Sequence, residues 1–250
     1  MTVSERVAPD LVIERRLRRA GATVLAAADE VGRGALCGPV TVGMVVLKSR
    51  VHEPPDGLRD SKLLTPAARA ALVRPIRRWT AAQAVGHASA VELDAIGLTA
   101  ALRLAANRAL AALPSWPDVV LLDGNFDYLS PVRGPQTETL FDPDPARPFP
   151  RVRTQIKGDL TCASVAAASI LAKTERDGLM DGLARHHPGY GWEHNRGYAT
   201  PDHLEALRRL GPSPVHRQSW NLPPHEIELT LGDPLDWQDG AMPESTEETR

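Results

Sequence analysis

The fold is decided by residues 23–47, which read TVLAAADEVGRGALCGPVTVGMVVL. Residues 23–29 form an apolar run that ends at Asp29, and residues 39–47 form a second run rich in valine. Short apolar runs bounded by glycine and proline predict buried strands. We therefore expect two strands joined by a glycine-rich loop, with a carboxylate at the end of the first strand.

Helix and strand patterns alternate along the rest of the chain. Helical spacing predicts helices at 10–20, 65–79, 98–113, 161–186 and 201–210. Apolar runs predict further strands at 81–90, 118–123 and 151–156. Thr65 and Pro66 suit the N-cap and the first position of a helix. Strands interleaved with helices predict an α/β fold with a mixed sheet.

Two segments depart from this alternation. Residues 126–150 are rich in proline and show little periodicity, which predicts an exposed surface loop. Residues 226–250 form an acidic tail without an apolar pattern, which predicts disorder. Residues 1–225 are then expected to form one domain, and a chain of 250 residues is long enough to bury a sizeable core.

Charge is distributed unevenly along the chain. The formal net charge is −2, although residues 233–250 alone hold six acidic residues and one arginine. The preceding part is therefore mildly basic. This balance permits nucleic-acid binding without arguing strongly for it.

Several protein classes are disfavoured by composition. No uncharged apolar run has the length of a membrane span, so no membrane association is expected. The first ten residues lack the apolar stretch of a signal peptide. Cys37 and Cys162 lie too far apart in sequence for a CxxC zinc motif, and two cysteines make no disulfide framework. A cytoplasmic location is the expectation.

Carboxylates follow several of the predicted strands. Asp29 and Glu30 end the first strand, Asp123 ends the strand at 118–123, and Asp159 precedes the helix at 161–186. Taken singly, each has a plain structural explanation: a solvated turn, a turn former and a helix cap. Taken together, they resemble the oxygen-rich ligand sets of Mg²⁺ and Mn²⁺. Such ions accept phosphate oxygens as additional ligands.

Asp177 is predicted to stand apart from this set. It lies 18 residues after Asp159, which corresponds to about 27 Å along a continuous helix. The two side chains cannot share a metal ion at that separation. We therefore expect Asp177 to be a helix-surface or salt-bridge residue.

The loop GRG at 32–34 must be weighed against the dinucleotide-binding pattern GxGxxG. Its third glycine would fall on Cys37, and a strand pattern follows where the dinucleotide motif opens a helix. A nicotinamide or flavin site is therefore disfavoured. Glycines here still allow a substrate to approach the backbone closely.

In combination, six segments resemble the ribonuclease HII family. They are ADEVGRGALCGPV (28–40), DSKLLT (60–65), LLDGN (121–125), IKGDLTCASVAAASILAKTERD (156–177), HPGYGWEHNRGYATPDH (187–203) and GPSPVHRQSW (211–220). The resemblance runs from about residue 10 to 220. It implies a ribonuclease H-like mixed sheet flanked by helices, with a C-terminal helical and loop extension, and a catalytic domain at 1–225.

The family's activity is what the resemblance implies for this chain. It implies an endoribonuclease that hydrolyses the RNA strand of RNA–DNA hybrids and nicks 5′ of single ribonucleotides in duplex DNA. The products would carry 3′-hydroxyl and 5′-phosphate ends. The implied cofactor is Mn²⁺ or Mg²⁺ in a two-ion site, and the implied partners are hybrid and ribonucleotide-containing duplexes, bound by a monomer.

Site residues follow from the same resemblance. The implied catalytic and metal-binding set is Asp29, Glu30, Asp123 and Asp159. The resemblance further implies that the loop of Gly32, Arg33 and Gly34 reads the ribose 2′-hydroxyl and that Tyr198, rather than Tyr190, stacks on a sugar. We also predict that Lys62 or Lys173 contacts a phosphate, since the chain has few lysines.

The sequence departs from the family pattern in two places within the matching region. Val31 and Ala35 replace the alanine and proline usual beside GRG, with an effect expected on packing only. The segment 126–155 is longer than is typical, and its role is not predicted. Two alternatives to the endoribonuclease function stay open. One is a related ribonuclease H-like nuclease that acts on DNA, and the other is a hybrid-binding module without catalysis.

Overall fold

A five-stranded mixed sheet organises the molecule. The computed structural model describes residues 8–50, 52–131 and 148–225. The strands are β1 (Leu25–Val31), β2 (Val40–Leu47), β3 (Thr80–Ala88), β4 (Val119–Asp123) and β5 (Arg151–Gln155). Their order is β3-β2-β1-β4-β5, with β1, β2 and β3 antiparallel and with β4 and β5 parallel to β1. This arrangement confirms the α/β class and the mixed sheet.

Eight helices accompany the sheet in the described residues. They are α1 (Val12–Arg19), α2 (Pro66–Trp79), α3 (Ala90–Ile96), α4 (Leu98–Ala111), α5 (Gly158–Thr161), α6 (Ala163–His186), α7 (Trp192–Asn195) and α8 (Pro201–Leu210). The predicted cap of α2 is present, because the Thr65 side chain accepts a hydrogen bond from the Ala68 amide. Among these helices, none is both long and apolar enough to cross a membrane.

Helices cover both faces of the sheet, and the strands alternate between them. Ala26 and Ala28 of β1 face the cluster that contains α4, whereas Ala27 faces the cluster that contains α6. This alternation is the period-two pattern of a strand buried on both sides. Gly43 of β2 lets α6 approach closely, since a Cβ at this position would collide with the Ala168 carbonyl.

The sequence did not reveal α3. The strand predicted at 81–90 ends at Ala88, and Ser89 then opens a helix with a capping box. In this box the Ser89 side chain accepts from the Glu92 amide while Glu92 accepts from the Ser89 amide. Because such reciprocal bonds satisfy two free backbone donors, they begin a helix immediately after the strand.

The long helix predicted at 161–186 is interrupted. Residues 163–186 of this prediction form α6, whereas Thr161 is the last residue of the separate short helix α5. Cys162 between them has extended backbone angles (φ −110°, ψ 120°). The break has a tertiary cause. Asp10 pairs with Cys162 in a parallel bridge, and the Ala163 amide donates to the Asp10 carbonyl at 2.8 Å.

The start of the proline-rich segment was wrongly predicted to be exposed. Tyr128 and Leu129 are buried, with 2% and 0% of their surface accessible, and both belong to the core cluster on the α4 side. An apolar pair so close to β4 is drawn into the core because burial removes its surface from water. The part of this prediction at 132–147 and the acidic tail at 226–250 lie outside the described residues.

Candidate active site

Three chain segments bring the four predicted carboxylates to one edge of the sheet. Asp29 and Glu30 lie near the end of β1, and Asp123 is the last residue of β4. These strands are parallel neighbours, so their carboxyl ends lie at the same edge. Asp159 reaches this edge from α5, directly after β5. Asp29 and Asp159 are buried, at 4% and 6% exposure.

Backbone amides fix the orientation of two of these side chains. Asp123 Oδ1 accepts from the Gly158 amide at 2.7 Å and from the Asp159 amide at 3.3 Å. Asp29 Oδ1 accepts from the Glu30 amide at 2.8 Å. The start of α5 is therefore tied to the end of β4, which places Asp159 beside Asp123.

Burial and mutual repulsion disfavour the ionised form of two carboxylates in this cluster. Burial, and then the charge of Glu30, raise the pKa of Asp29 well above its usual value. Burial, and then the charge of Asp159, raise the pKa of Asp123. Both effects oppose the ionised form, so the cluster favours the binding of additional positive charge.

Two cationic side chains compensate part of this charge. Lys62 Nζ lies 2.9 Å from Asp159 Oδ2, and Arg33 Nη1 lies 2.9 Å from Glu30 Oε1. Burial is the largest effect and opposes the charge on Lys62. The hydrogen bond to Asp159 and the charges of nearby carboxylates together outweigh burial and raise the pKa of Lys62. Four carboxylates facing two such cations form an oxygen-only donor set with excess negative charge. This chemistry fits hard divalent cations such as Mg²⁺ and Mn²⁺.

A buried tyrosine also contacts the cluster. The Tyr128 hydroxyl donates to Glu30 Oε2 at 3.1 Å, while Glu30 Oε1 accepts from Arg33. Both oxygens of Glu30 are thus held, one by its own loop and one by the segment after β4. Sequence patterns gave no signal for this residue, because Tyr128 lies in a stretch without periodicity.

Asp177 lies in a separate ion-pair cluster. Its carboxylate lies 3.1 Å from Arg69 Nη2 and 2.5 Å from Lys173 Nζ. These salt bridges agree with the structural role expected for Asp177. They also give Lys173 a carboxylate partner in a largely buried position, so its contact with a phosphate stays a prediction.

The GRG loop begins two residues after Glu30 and is partly exposed. Gly32 is buried with φ +87°, whereas Arg33 and Gly34 are exposed. A side chain at Gly32 would collide with the Arg176 guanidinium and the Pro39 carbonyl. Glycine is therefore required at this position both by conformation and by the close approach of Arg176.

Tyr198 lies beside this loop, whereas Tyr190 belongs to the interior. Ala35 and Tyr198 form an antiparallel bridge, and the Leu36 amide donates to the Gly197 carbonyl at 2.7 Å. The half-buried Tyr198 ring lies 5.6 Å from the Arg176 guanidinium carbon. Tyr190 stacks on Trp192 instead, and its hydroxyl donates to a backbone carbonyl.

A buried group of Cys37, His203 and His216 has ligand atoms within 4.8 Å of one another. Its two histidines already make hydrogen bonds with other protein groups. His203 Nδ1 faces the Tyr198 carbonyl, so its Nε2 accepts from the Trp192 indole at 3.0 Å. His216 Nδ1 accepts from the Ser213 amide, which leaves its Nε2 proton for His203 Nε2 at 3.1 Å. Both Nε2 atoms are engaged, so we interpret this group as structural support for Tyr198.

Two buried arginines beneath the loop were missed as functional candidates. Arg217 and Arg176 are both fully buried and donate to backbone carbonyls around the GRG loop. Arg217 lies within the segment GPSPVHRQSW, but a chain with 29 basic residues gives no reason to single it out. Only the tertiary contacts identify it.

Comparison with known sequences points to one family. The sequence model of the ribonuclease HII family matches residues 26–222. A ribonuclease HII from Streptomyces avermitilis is 46% identical over 241 residues, covering 94% of this chain and 94% of the relative. A ribonuclease HII from Streptomyces coelicolor is 48% identical over 213 residues, covering 85% of this chain and 83% of the relative.

Solved structures share the fold. The ribonuclease H2 of Pyrococcus horikoshii superposes with a TM-score of 0.59 at 23% identity, covering 79% of this chain and 93% of that one. A chain of the PCNA:RNase HII complex from Archaeoglobus fulgidus gives a TM-score of 0.58 at 25% identity, covering 82% and 98%. These likenesses confirm the ribonuclease H-like architecture expected from the sequence.

Proposed function

Because the chain belongs to the ribonuclease HII family, and is therefore a ribonuclease H, we propose that it nicks duplex DNA 5′ of single embedded ribonucleotides. It also hydrolyses the RNA strand of longer RNA–DNA hybrids in this proposal. Each cut leaves a 3′-hydroxyl and a 5′-phosphate. The observation that carries the proposal is the spacing of the site: the carboxylate cluster lies two residues from an exposed backbone loop that can read a ribose hydroxyl.

In this proposal Asp29, Glu30, Asp123 and Asp159 hold two divalent cations, Mg²⁺ or Mn²⁺. When bound, the cations neutralise the carboxylates and stabilise the attacking and leaving oxygens of an in-line phosphoryl displacement. The raised pKa of Asp29 and that of Asp123 support this role, since burial and mutual repulsion favour a cationic ligand. The amides at the start of α5 keep Asp123 oriented before the substrate arrives.

Substrate recognition is assigned to groups that do not read base sequence. The backbone of Gly32, Arg33 and Gly34 contacts the 2′-hydroxyl, which distinguishes RNA from DNA at one nucleotide. Tyr198 stacks on the neighbouring sugar. Lys62 is exposed along its side chain (71%) although its ammonium group pairs with Asp159, so it can also reach a phosphate near the site.

The assembly and extent of the enzyme are also proposed. In this proposal residues 1–225 form the catalytic unit, which is supported by a family match that covers 26–222. We propose that the enzyme acts as a monomer, because all four carboxylates and the loop come from one chain. Size-exclusion chromatography with light scattering tests this assignment, and a stable dimer would contradict it.

The decisive experiment uses three labelled duplexes: DNA with one ribonucleotide, a long RNA–DNA hybrid, and DNA alone. Each is incubated with Mg²⁺, with Mn²⁺ and with EDTA. The proposal expects cleavage of the first two in either metal, a single cut 5′ of the isolated ribonucleotide, and no cleavage in EDTA. Asp29→Asn should be inactive, whereas the exposed control variant Asp56→Asn should cleave normally.

Two outcomes would favour the alternatives. Cleavage of the all-DNA duplex would indicate a related nuclease that acts on DNA. Tight binding of the hybrid without cleavage in either metal would indicate a hybrid-binding module. Either outcome would contradict the proposed ribonucleotide-dependent cleavage.

A further inference from the structure

Arg217 holds the carbonyl groups of the GRG loop from beneath. Its Nη2 donates to the Gly32 carbonyl at 2.6 Å, and its Nη1 donates to the Arg33 carbonyl at 2.9 Å. Its Nε and Nη2 also reach the Gly38 carbonyl, at 3.2 Å and 3.1 Å. The side chain is fully buried, so the guanidinium contacts the loop from the protein interior.

These bonds determine which way the loop amides point. In a trans peptide the N–H points opposite to the C=O of the same peptide plane. The Gly32 carbonyl shares its plane with the Arg33 N–H, and the Arg33 carbonyl shares its plane with the Gly34 N–H. Since both carbonyls point inward to Arg217, both N–H groups point outward to solvent.

The two N–H groups are also available for a ligand. Arg33 and Gly34 are exposed, and neither N–H donates to an acceptor within residues 8–50, 52–131 and 148–225. Without Arg217, the peptide planes on either side of Arg33 could rotate easily, because glycine flanks Arg33 on both sides. A fixed guanidinium fork on the two carbonyls prevents such a turn, since it would leave buried donors unpaired.

We propose that Arg217 is a positioning residue for sugar recognition: it presents the N–H groups of Arg33 and Gly34 as paired donors to the ribose 2′-oxygen. This inference rests on the proposed function and assigns a determinant of ribose specificity to a residue that never touches the substrate. The role requires arginine for geometric reasons. Its planar guanidinium can donate to two carbonyls at once in a fixed arrangement, whereas a lysine ammonium cannot.

The test compares Arg217→Lys with wild type in two duplexes that differ by one 2′-hydroxyl. Affinities are measured in EDTA, where no divalent cation supports cleavage, and kcat and KM are then measured in Mn²⁺. We expect the ribose-over-deoxyribose preference in affinity to fall about tenfold, the equivalent of one lost hydrogen bond. In Mn²⁺ we expect KM for the ribonucleotide duplex to rise more than kcat falls.

Arg18→Lys is the matched control. Arg18 donates to the carbonyls of Ala22, Thr23, Leu47 and Lys48, remote from the loop. Its replacement should lower the melting temperature without changing the ribose preference. An unchanged preference in Arg217→Lys, with only a lower melting temperature, would reduce Arg217 to a structural residue.

A second measurement uses wild-type protein, so it does not depend on how the variant folds. Amide hydrogen exchange is followed at Arg33 and Gly34 in EDTA. We expect slowing by the ribonucleotide duplex and none by the matched DNA duplex. Equal exchange with both duplexes would overturn the inference, whereas a wild-type protein that fails to cleave the ribonucleotide duplex in Mn²⁺ would overturn the proposed function itself.

Discussion

Removing the Tyr128 hydroxyl tests how firmly Glu30 must be held. Tyr128→Phe keeps the buried ring and deletes one hydrogen bond, 3.1 Å long, to a carboxylate oxygen. A hydrogen bond to a charged acceptor contributes about 1.5–3 kcal/mol, which corresponds to roughly ten- to a hundredfold in affinity. Arg33 still holds the other oxygen of Glu30, so the lower end of this range, about tenfold, is expected.

The assay is the cleavage rate of a ribonucleotide-containing duplex as a function of Mn²⁺ concentration. The half-saturating Mn²⁺ concentration should rise about tenfold in Tyr128→Phe, because Glu30 must be ordered when the cation binds. At saturating Mn²⁺ the rate should largely recover. Calorimetric titration with Mn²⁺ in the absence of substrate should show the same shift.

Tyr190→Phe provides the matched control, since its hydroxyl donates to the Gly211 carbonyl at 2.7 Å, outside the carboxylate cluster. Tyr190→Phe should lose about as much stability as Tyr128→Phe, but its half-saturating Mn²⁺ concentration should not change. The reasoning is refuted if Tyr128→Phe leaves the half-saturating Mn²⁺ concentration unchanged, or if its activity is lost equally at all concentrations.

Three further changes have expected outcomes. The raised pKa of Asp29 means that its ionisation costs folding free energy once the pH exceeds the unfolded value of about 3.9. Metal-free Asp29→Asn should therefore be more stable than wild type at neutral pH, with a difference that vanishes on acidification, as measured by urea unfolding in EDTA. Tyr198→Ala should reduce cleavage at an isolated ribonucleotide more than in a long hybrid, whereas Tyr198→Phe should be mild because stacking needs only the ring. Lys62→Ala should lower the salt dependence of duplex binding by about one unit of slope.

Each of these expectations has a contradicting result. For Asp29 the control is Asp94→Asn: hydrogen bonds from Ser219 and Gln218 outweigh burial and lower the pKa of Asp94, so its loss should destabilise at neutral pH. A destabilised Asp29→Asn would show that repulsion does not dominate the cluster. Equal losses on both substrates, with a lower melting temperature, would make Tyr198 a packing residue. An unchanged salt slope would exclude a phosphate contact by Lys62.

Local patterns were sufficient for most of the sheet and its covering helices. β2 and α2 were predicted within one residue at each end, because apolar runs and the Thr65 cap act locally. The four carboxylates could be proposed as a set because each lies at the end of a predicted strand or just before a predicted helix, and because the family resemblance implies the same four residues. Their separation from Asp177 followed from helical rise, although the continuous helix assumed there is broken at Cys162.

Tertiary contacts explain what the sequence could not reveal. The break at Cys162 depends on Asp10, a residue 152 positions earlier, and no local pattern encodes this pairing. Tyr128 is buried although its neighbours lack periodicity, because the core lies directly beside the end of β4. Arg217 is one of many arginines until the fold places the GRG carbonyls around it.

The short distance between Glu30 and Gly32 has a consequence for where the strand is cut. Two residues of extended chain span about 7 Å. In the proposed function this segment is a covalent link of fixed length between the metal-binding carboxylates and the loop that recognises the sugar. The position of the cut relative to the ribonucleotide is then set by chain length rather than by movement of domains. A single residue inserted at Val31 would therefore lengthen this link and displace the cut relative to the ribonucleotide.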